Sequence, residues 1–298
     1  EMQRSLVGSE MCIRDRTGTL YVVGTPIGNM DDITLRQLKT LEEVDFIAAE
    51  DTRVTLKLLN RYDIKKQLIS YHGHSTLNCA ENIISRIKGG ENAAVVTDAG
   101  MPCISDPGEE LVRLCAESGI NVKVVPGPSA VVSALAVSGL NTSRFAFEGF
   151  LSVNKKQRSD HLLSLKNETR TLIFYEAPHK LINTLNDFLK YFGNRRISLC
   201  RELTKVYEEV LRMTVSEAIL YYENNNPKGE YVLVLEGAER RDISDGYTLE
   251  TASALASEYA DDGMKLSEAC RKAAKETGFS RSGIYSFIVN HQPEEKKT

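Results

Sequence analysis

Between Gly18 and Val137 the chain repeats one pattern five times: a short apolar run, a loop, then a stretch whose apolar residues recur with helical spacing. The runs fall at residues 20–23, 46–49, 67–71, 93–96 and 122–125. They are too short for helices and long enough for buried strands. Strand, loop and helix in that repeated order build a parallel sheet with crossover helices on its faces. The loops at the carboxyl ends of such strands then gather along one edge, which is where open α/β sheets bind ligands.

Three of these loops carry the functional signal. The longest, Thr97-Asp-Ala-Gly-Met-Pro-Cys-Ile-Ser-Asp-Pro-Gly108, lies between the fourth run and a helical stretch at 109–118. Its Gly, Pro, Ser and Asp residues can continue neither element. Alone it reads as an ordinary connection. Its companions are Gly24-Thr-Pro-Ile-Gly-Asn29 and Pro126-Gly-Pro-Ser-Ala130, and the second of these opens a helix of small residues at 130–137. Small side chains allow close packing on a sheet, and the open amides at that helix start can hold a polar ligand group. No G-x-G-x-x-G or G-x-x-x-x-G-K-[ST] occurs, so a dinucleotide or triphosphate cradle loses its main support.

Between the loops, Asp31 and Asp32 read as caps for a helix carrying Leu35, Leu38 and Leu41, and Glu50 and Asp51 as caps for a helix at 54–60 with Leu56 and Leu59 inward. His72 and His74 share a loop but have no third ligand nearby. A polar contact to substrate suits them better than a metal.

After Asn141 the pattern changes. Strand-like runs at 145–150, 171–175, 196–200, 208–215 and 231–235 mix short turns with helical stretches at 155–165 and 180–189, the latter packing through Leu181, Leu185 and Leu189. That mixture predicts a mixed sheet. A third unit, 248–292, reads as short helices, with Ser280 capping the last. Spacing alone fits a helix-turn-helix-like module, with Arg271, Lys272, Lys275 and Arg281 available for phosphates, as well as a plain helical cap. Residues 1–16 are aperiodic and stand outside the fold argument, as a non-native or disordered tail.

Composition narrows the partners. With 42% hydrophobic and 26% charged residues the chain is of globular type, and no apolar run is long enough to span a membrane. The six cysteines lack CxxC spacing, which suggests reduced thiols in the cytoplasm rather than a zinc or disulfide framework. A net charge of -4 gives no global pull on nucleic acid. Any RNA would be held by local patches: Lys155, Lys156, Arg158, Lys166 and Arg170, or Arg195, Arg196, Arg201 and Lys205 opposed by Glu202. Both patches read equally as solvated surface.

In order along residues 19–237, GTPIGN, EDTR, SYHGH, TDAGMPCISDPG, PGPSA, FYEAPH and GEYVLVLEG resemble the tetrapyrrole methylase superfamily, in its branch that acts on small-subunit ribosomal RNA. The C-terminal helices look similar as well. The resemblance implies two α/β domains of tetrapyrrole-methylase type, 17–140 around a parallel sheet and 141–240 around a mixed one, with a small C-terminal helical unit. It implies S-adenosyl-L-methionine as cofactor, bound in the cleft between the domains, and a homodimer. The implied reaction is 2′-O-methylation of a cytidine ribose in the decoding region of 16S rRNA, with the small ribosomal subunit as partner. Carried over by motif, Pro26, Ile27, Asp98, Ala99, Gly100, Cys103, Ile104, Ser129, Ala130, Tyr175 and Glu176 hold the cofactor, joined by Leu203, Gly229, Glu230 and Tyr231. A methylase of tetrapyrrole precursors and a non-catalytic ribosome-assembly factor with a methylase fold are the alternatives.

Methyl transfer to a ribose hydroxyl needs alignment, desolvation and a proton acceptor as the C–O bond forms. Asp98, Glu176, His72 and His74 are the candidate bases, and Arg53 or Lys205 could stabilise a developing alkoxide. Asp98 could instead bind the cofactor's ammonium group. Arg53, Lys155, Lys156, Arg158, Arg196, Arg201 and Lys205 are the expected RNA contacts.

Overall fold

Strands β1 (Thr19–Val23), β2 (Phe46–Ala49), β3 (Gln67–Ser70), β4 (Ala93–Val96) and β5 (Asn121–Val125) form one sheet in the order β3-β2-β4-β1-β5. All four pairings are parallel, as the repeated pattern requires. This is the arrangement in a computed structural model that describes residues 17–73, 77–239 and 247–291. Residues 1–16, His74 and Gln292 lie outside the described residues.

Every residue of β2 and β4 is buried, because helices cover both faces of the sheet. In β4, Ala93 and Val95 join a core with α3 (Leu77–Lys88) and α4 (Glu109–Glu117), while Ala94 and Val96 face the opposite core with α1 (Leu35–Glu43) and α2 (Thr52–Arg61). Two local expectations are corrected. Asp31 and Asp32 form a separate 3-10 turn, and α1 is capped by Thr34 in a reciprocal pair with Gln37, which turns Leu35 out to 86% exposure. In α2, Asp51 is the cap as expected, but the inward face is Thr55, Leu58 and Leu59, so Leu56 points out. Thr55, Leu58 and Leu59 lie three and four residues apart and share one side of a helix; Leu56 is rotated about 100° from Thr55.

The second sheet runs β6 (Phe145–Phe150), β7 (Thr171–Glu176), β10 (Tyr231–Leu235), β8 (Arg196–Arg201), β9 (Glu209–Thr214). Only β6 and β7 pair in parallel, so the sheet is mixed as expected. One face packs on α6 (Lys155–Ser164), α7 (Leu181–Phe192) and α8 (Val215–Asn224) through Leu162, Leu185, Phe188 and Ala218. Leu189 is half-exposed, and Phe188 and Phe192 fill the place expected for it. The other face receives α5 (Ala130–Val137), whose Val131, Ala134 and Leu135 sit against Ile173, Cys200, Val232 and Val234. The last helix of the first half is therefore buried on the sheet of the second. Arg212 of β9 fastens its far end, donating from Nε to the carbonyls of Val137 and Ser138 at 3.2 Å each, where a cation also complements the helix dipole.

Both sheets belong to one compact unit that ends at Ala238; a second begins at Glu239. The latter holds α9 (Leu249–Asp261), α10 (Leu266–Thr277) and α11 (Arg281–Asn290), closed around Ala252, Ala256, Cys270, Ala273, Ile284 and Ile288. Gly278 ends α10 in the left-handed conformation, and the Ser280 side chain caps α11.

Candidate active site

Backbone contacts tie the three loops of the first half together. Thr25 and Gly100 exchange N–H···O bonds at 2.8 and 3.1 Å, and Thr25 Oγ1 donates to the Thr97 carbonyl at 3.1 Å. Gln37 Nε2 donates to the Gly24 carbonyl at 2.7 Å. A Cβ on Gly127 would stand 2.1 Å from that amide nitrogen and 3.0 Å from Gly24 Cα, so the first and third loops meet only because both carry glycine there. The first loop also reaches the second half. Asn29 N–H donates to Thr204 Oγ1 at 3.0 Å, and a Cβ on Gly28 would fall 2.6 Å from Lys205 Cγ.

Between these loops and the strand ends of the second sheet is a cavity of about 450 Å³, within the roughly 300–1,000 Å³ of small-molecule sites. Phe150, Tyr175, Val232 and Cys200 line it as one row across four adjacent strands, each paired in register with the next. Tyr175 is held in that row by an edge-on contact with Phe147 and a tilted one with Phe150, at centroid distances of 4.9 and 5.4 Å. Opposite stand Ile27, Ala99, Asp106 and Ala130 from the loops and the start of α5.

Of the residues expected to hold the cofactor, Ile27, Ala99, Ala130, Tyr175, Glu176, Leu203, Glu230 and Tyr231 line this cavity. Pro26, Asp98, Gly100, Cys103, Ile104, Ser129 and Gly229 belong to the adjoining loops and are not among its lining residues. Ser129 makes no side-chain cap bond, which leaves the first amides of α5 open. Phe150, Cys200 and Val232 were not expected, because which face of a strand meets a cavity depends on the sheet it joins. Asp106 was also missed, although it stands inside the longest loop.

The polar groups divide into three sets. Glu176 is buried, accepting from Thr184 Oγ1 and from Ala177 N–H; Arg158 donates to Thr184 Oγ1 at 2.8 Å and pairs with Asp187 at 2.6 Å. Lys205 Nζ bonds Glu202 and Glu230 at 2.9 Å each; burial works against its charge, yet these two bonds hold its pKa above the usual lysine value. The third set is acidic. Asp98 accepts Asp51 N–H at 3.1 Å, and burial together with Glu50 and Asp51 raises its pKa. Asp106 is pushed up to about 6, first by burial and then by Glu50 and Asp98. Tyr175, facing it, is pushed up to about 12 by burial and the Asp106 charge and stays a neutral phenol.

These contacts redistribute the expected RNA residues. Arg158 faces inward in its ion pair with Asp187 rather than outward to a phosphate. Arg196 approaches Glu236 at 4.0 Å, Arg201 approaches Glu209 at 3.5 Å, and Lys205 lines the cavity, so the second basic segment meets more acid than Glu202 alone. Arg53 is 86% exposed on its side chain but bonded to Asp51 at 2.5 Å. Lys155 and Lys156 are exposed at the start of α6. His72 lines a neighbouring hollow of about 420 Å³, which Asp106 also borders. Among the described residues no group of acidic, histidine and cysteine side chains is arranged to hold a metal ion.

Residues 19–219 match the tetrapyrrole (corrin/porphyrin) methylases. The ribosomal RNA small subunit methyltransferase I of Halalkalibacterium halodurans is 46% identical over 281 residues, 94% of this chain and 96% of that one. The chain belongs to the tetrapyrrole methylase family, in its ribosomal RNA small subunit methyltransferase I group. The Thermotoga maritima enzyme of that name is 51% identical over 222 residues, which cover all of it and 74% of this chain. Among solved tetrapyrrole methylase folds, the methyltransferase CobJ superposes with a TM-score of 0.58 at 18% identity over 75% of this chain and 96% of its own. Cobalt precorrin-4 methyltransferase CbiF gives 0.55 at 19% identity over 75% and 97%. Membership in the tetrapyrrole methylases implies S-adenosyl-L-methionine as methyl donor. The cavity fits such a group: an apolar row for its flat and aliphatic parts, and the Lys205, Glu202 and Glu230 cluster for its polar ones.

Proposed function

We propose that the protein methylates small-subunit ribosomal RNA, at the 2′-hydroxyl of a cytidine ribose in the decoding region. The observation that carries the reading is the 450 Å³ cavity between loop wall and strand row, in a chain 46% identical to a ribosomal RNA small subunit methyltransferase I over nearly its whole length. When bound, S-adenosyl-L-methionine supplies an electrophilic methyl group on a positively charged sulfur. Ile27, Ala99, Ala130, Tyr175, Leu203 and Val232 would hold its apolar parts, and the Lys205, Glu202 and Glu230 cluster its hydroxyl and charged groups. The protein's contribution is alignment of the two reactants and exclusion of water, both favoured by a cavity whose walls are apolar on one side and preformed on the other.

A ribose hydroxyl cannot enter such a cavity while its nucleotide is stacked in a helix, so the substrate is an unpaired or flipped nucleotide. Exposed Lys155 and Lys156 are suited to the flanking phosphates. The test is to incubate the protein with labelled S-adenosyl-L-methionine and small subunits that lack the modification, then map the label. Label on a cytidine ribose of the decoding region supports the reading. Cofactor binding with no label on the RNA refutes it.

A further inference from the structure

Four carboxylates line the cavity: Asp106, Glu176, Glu202 and Glu230. Three are already engaged. Glu202 and Glu230 share the Lys205 ammonium, and Glu202 also accepts Glu230 N–H at 2.9 Å. Burial opposes the charge of Glu202, yet these bonds keep its pKa below the ordinary value. Glu176 is only 4% exposed and holds the bonds from Thr184 and Ala177. Oxygens that already accept these bonds are less open to a substrate hydroxyl.

Asp106 stands in a different field. Burial, Glu50 and Asp98 all disfavour its charge; the Thr97 hydroxyl acts the other way, but Thr97 Oγ1 donates to Glu50 at 2.5 Å. Tyr175 faces it from the strand row, and His72, Glu109, Glu110 and Arg113 border the hollow on its other side. It is the residue that lines both spaces, the 450 Å³ cavity and the 420 Å³ hollow. The backbone holds it there at some strain. Cys103 and Ser105 have φ of 71° and 63°, uncommon for residues other than glycine. Ser105 Oγ lies 3.1 Å from where a Cβ of Gly149 would stand, at the irregularity in β6, so the second sheet makes room for this loop.

The geometry points to Asp106 as the group that takes the proton from the acceptor ribose hydroxyl, an inference that rests on the methyl-transfer reading above. The proton passes from the hydroxyl to the Asp106 carboxylate as that oxygen bonds the methyl carbon, and the electron pair of the broken carbon–sulfur bond stays on sulfur. A base acting in this way contributes about 100-fold to 10,000-fold in rate.

The experiment compares the parent enzyme with Asp106→Asn in methyl transfer to small-subunit RNA at saturating cofactor, from about pH 5 to 8, and measures cofactor affinity of both by calorimetry. The expected result is a loss of kcat of about 100-fold or more, cofactor affinity within about twofold, and disappearance of the acid limb near pH 6 seen in the parent. Retained cofactor affinity shows that the variant is folded. A variant with the parent's kcat and acid limb overturns the inference and leaves the methyltransferase reading standing. So does a variant whose activity returns at high cofactor concentration, because Asp106 would then be a cofactor ligand. A parent that binds cofactor and methylates no small-subunit RNA defeats both.

Discussion

The two walls of the cavity are built by different physics. The strand row Phe150, Tyr175, Val232 and Cys200 is the edge of a hydrophobic core: Phe174 and Leu233, one residue along β7 and β10, are completely buried on the opposite face. The loop wall has less core behind it: Ile27 and Ala130 pack, partly buried, against the cluster that holds Val131 and Leu135, while Ala99 and Asp106 join no core cluster. It is held by backbone bonds between Thr25 and Gly100, by the Gln37 amide on Gly24, and by glycines that permit the approach. One wall is fixed by burial and presents apolar side chains with satisfied polar ones. The other is held largely by backbone geometry and presents Asp106, whose charge is disfavoured by burial and by Glu50 and Asp98.

If that contrast is right, Phe174→Ala should do the greatest damage to stability, about 3–5 kcal/mol in denaturant unfolding, because it opens a void in the core behind the strand row. A loss under about 1 kcal/mol would mean that burial does not hold that wall. Gly127→Ala should cost less, roughly 1–3 kcal/mol as an overpacked contact, but should weaken cofactor binding in calorimetry, since the first and third loops must separate. Thr184→Val should cost on the order of 1 kcal/mol for each hydrogen bond it removes, by depriving Glu176 and Arg158 of the hydroxyl between them. An unchanged unfolding curve for this variant would show that Glu176 finds another partner.

Smaller effects separate charge from architecture. Replacing Lys155 and Lys156 together by Ala should leave stability within about 0.5 kcal/mol. The same change should lower RNA affinity and reduce the slope of log affinity against log salt by about 1.5, the value for two lost phosphate contacts. An unchanged slope removes both residues from the RNA surface. For the loop wall the cofactor-free protein offers a pH test. The folded pKa of Asp106 is pushed up from 3.8 to about 6. Its carboxyl therefore contributes stability below pH 3.8, and that contribution is lost as pH rises through 6. Asp106→Asn should raise the melting temperature above pH 6, with the gain fading toward pH 4. A gain independent of pH would assign the effect to packing.

Much of the site was legible in the chain. The loops 24–29, 97–108 and 126–130 stand at strand ends because short apolar runs and glycine-rich breaks are local signals, and all three reach one edge of the parallel sheet. Helix faces were less legible. Leu56 and Leu58 are equally apolar, and the choice between them depends on which side of α2 meets the sheet. Charge was least legible of all. Arg158 and Lys155 are three residues apart in one basic segment, yet Asp187, contributed by α7, turns the arginine inward and leaves the lysine in water.

By itself the sequence determined the two kinds of sheet, the glycine-rich loops and the motifs that mark a methylase, since these depend on periodicity and on residues that only certain backbones accept. The tertiary structure alone decided that α5 packs on the second sheet, that four residues from four strands align into one wall, and that Asp106 borders two spaces among other acids. Burial and electrostatic fields arise from groups far apart in the chain. No local pattern encodes them until the fold brings those groups within a few ångströms of one another.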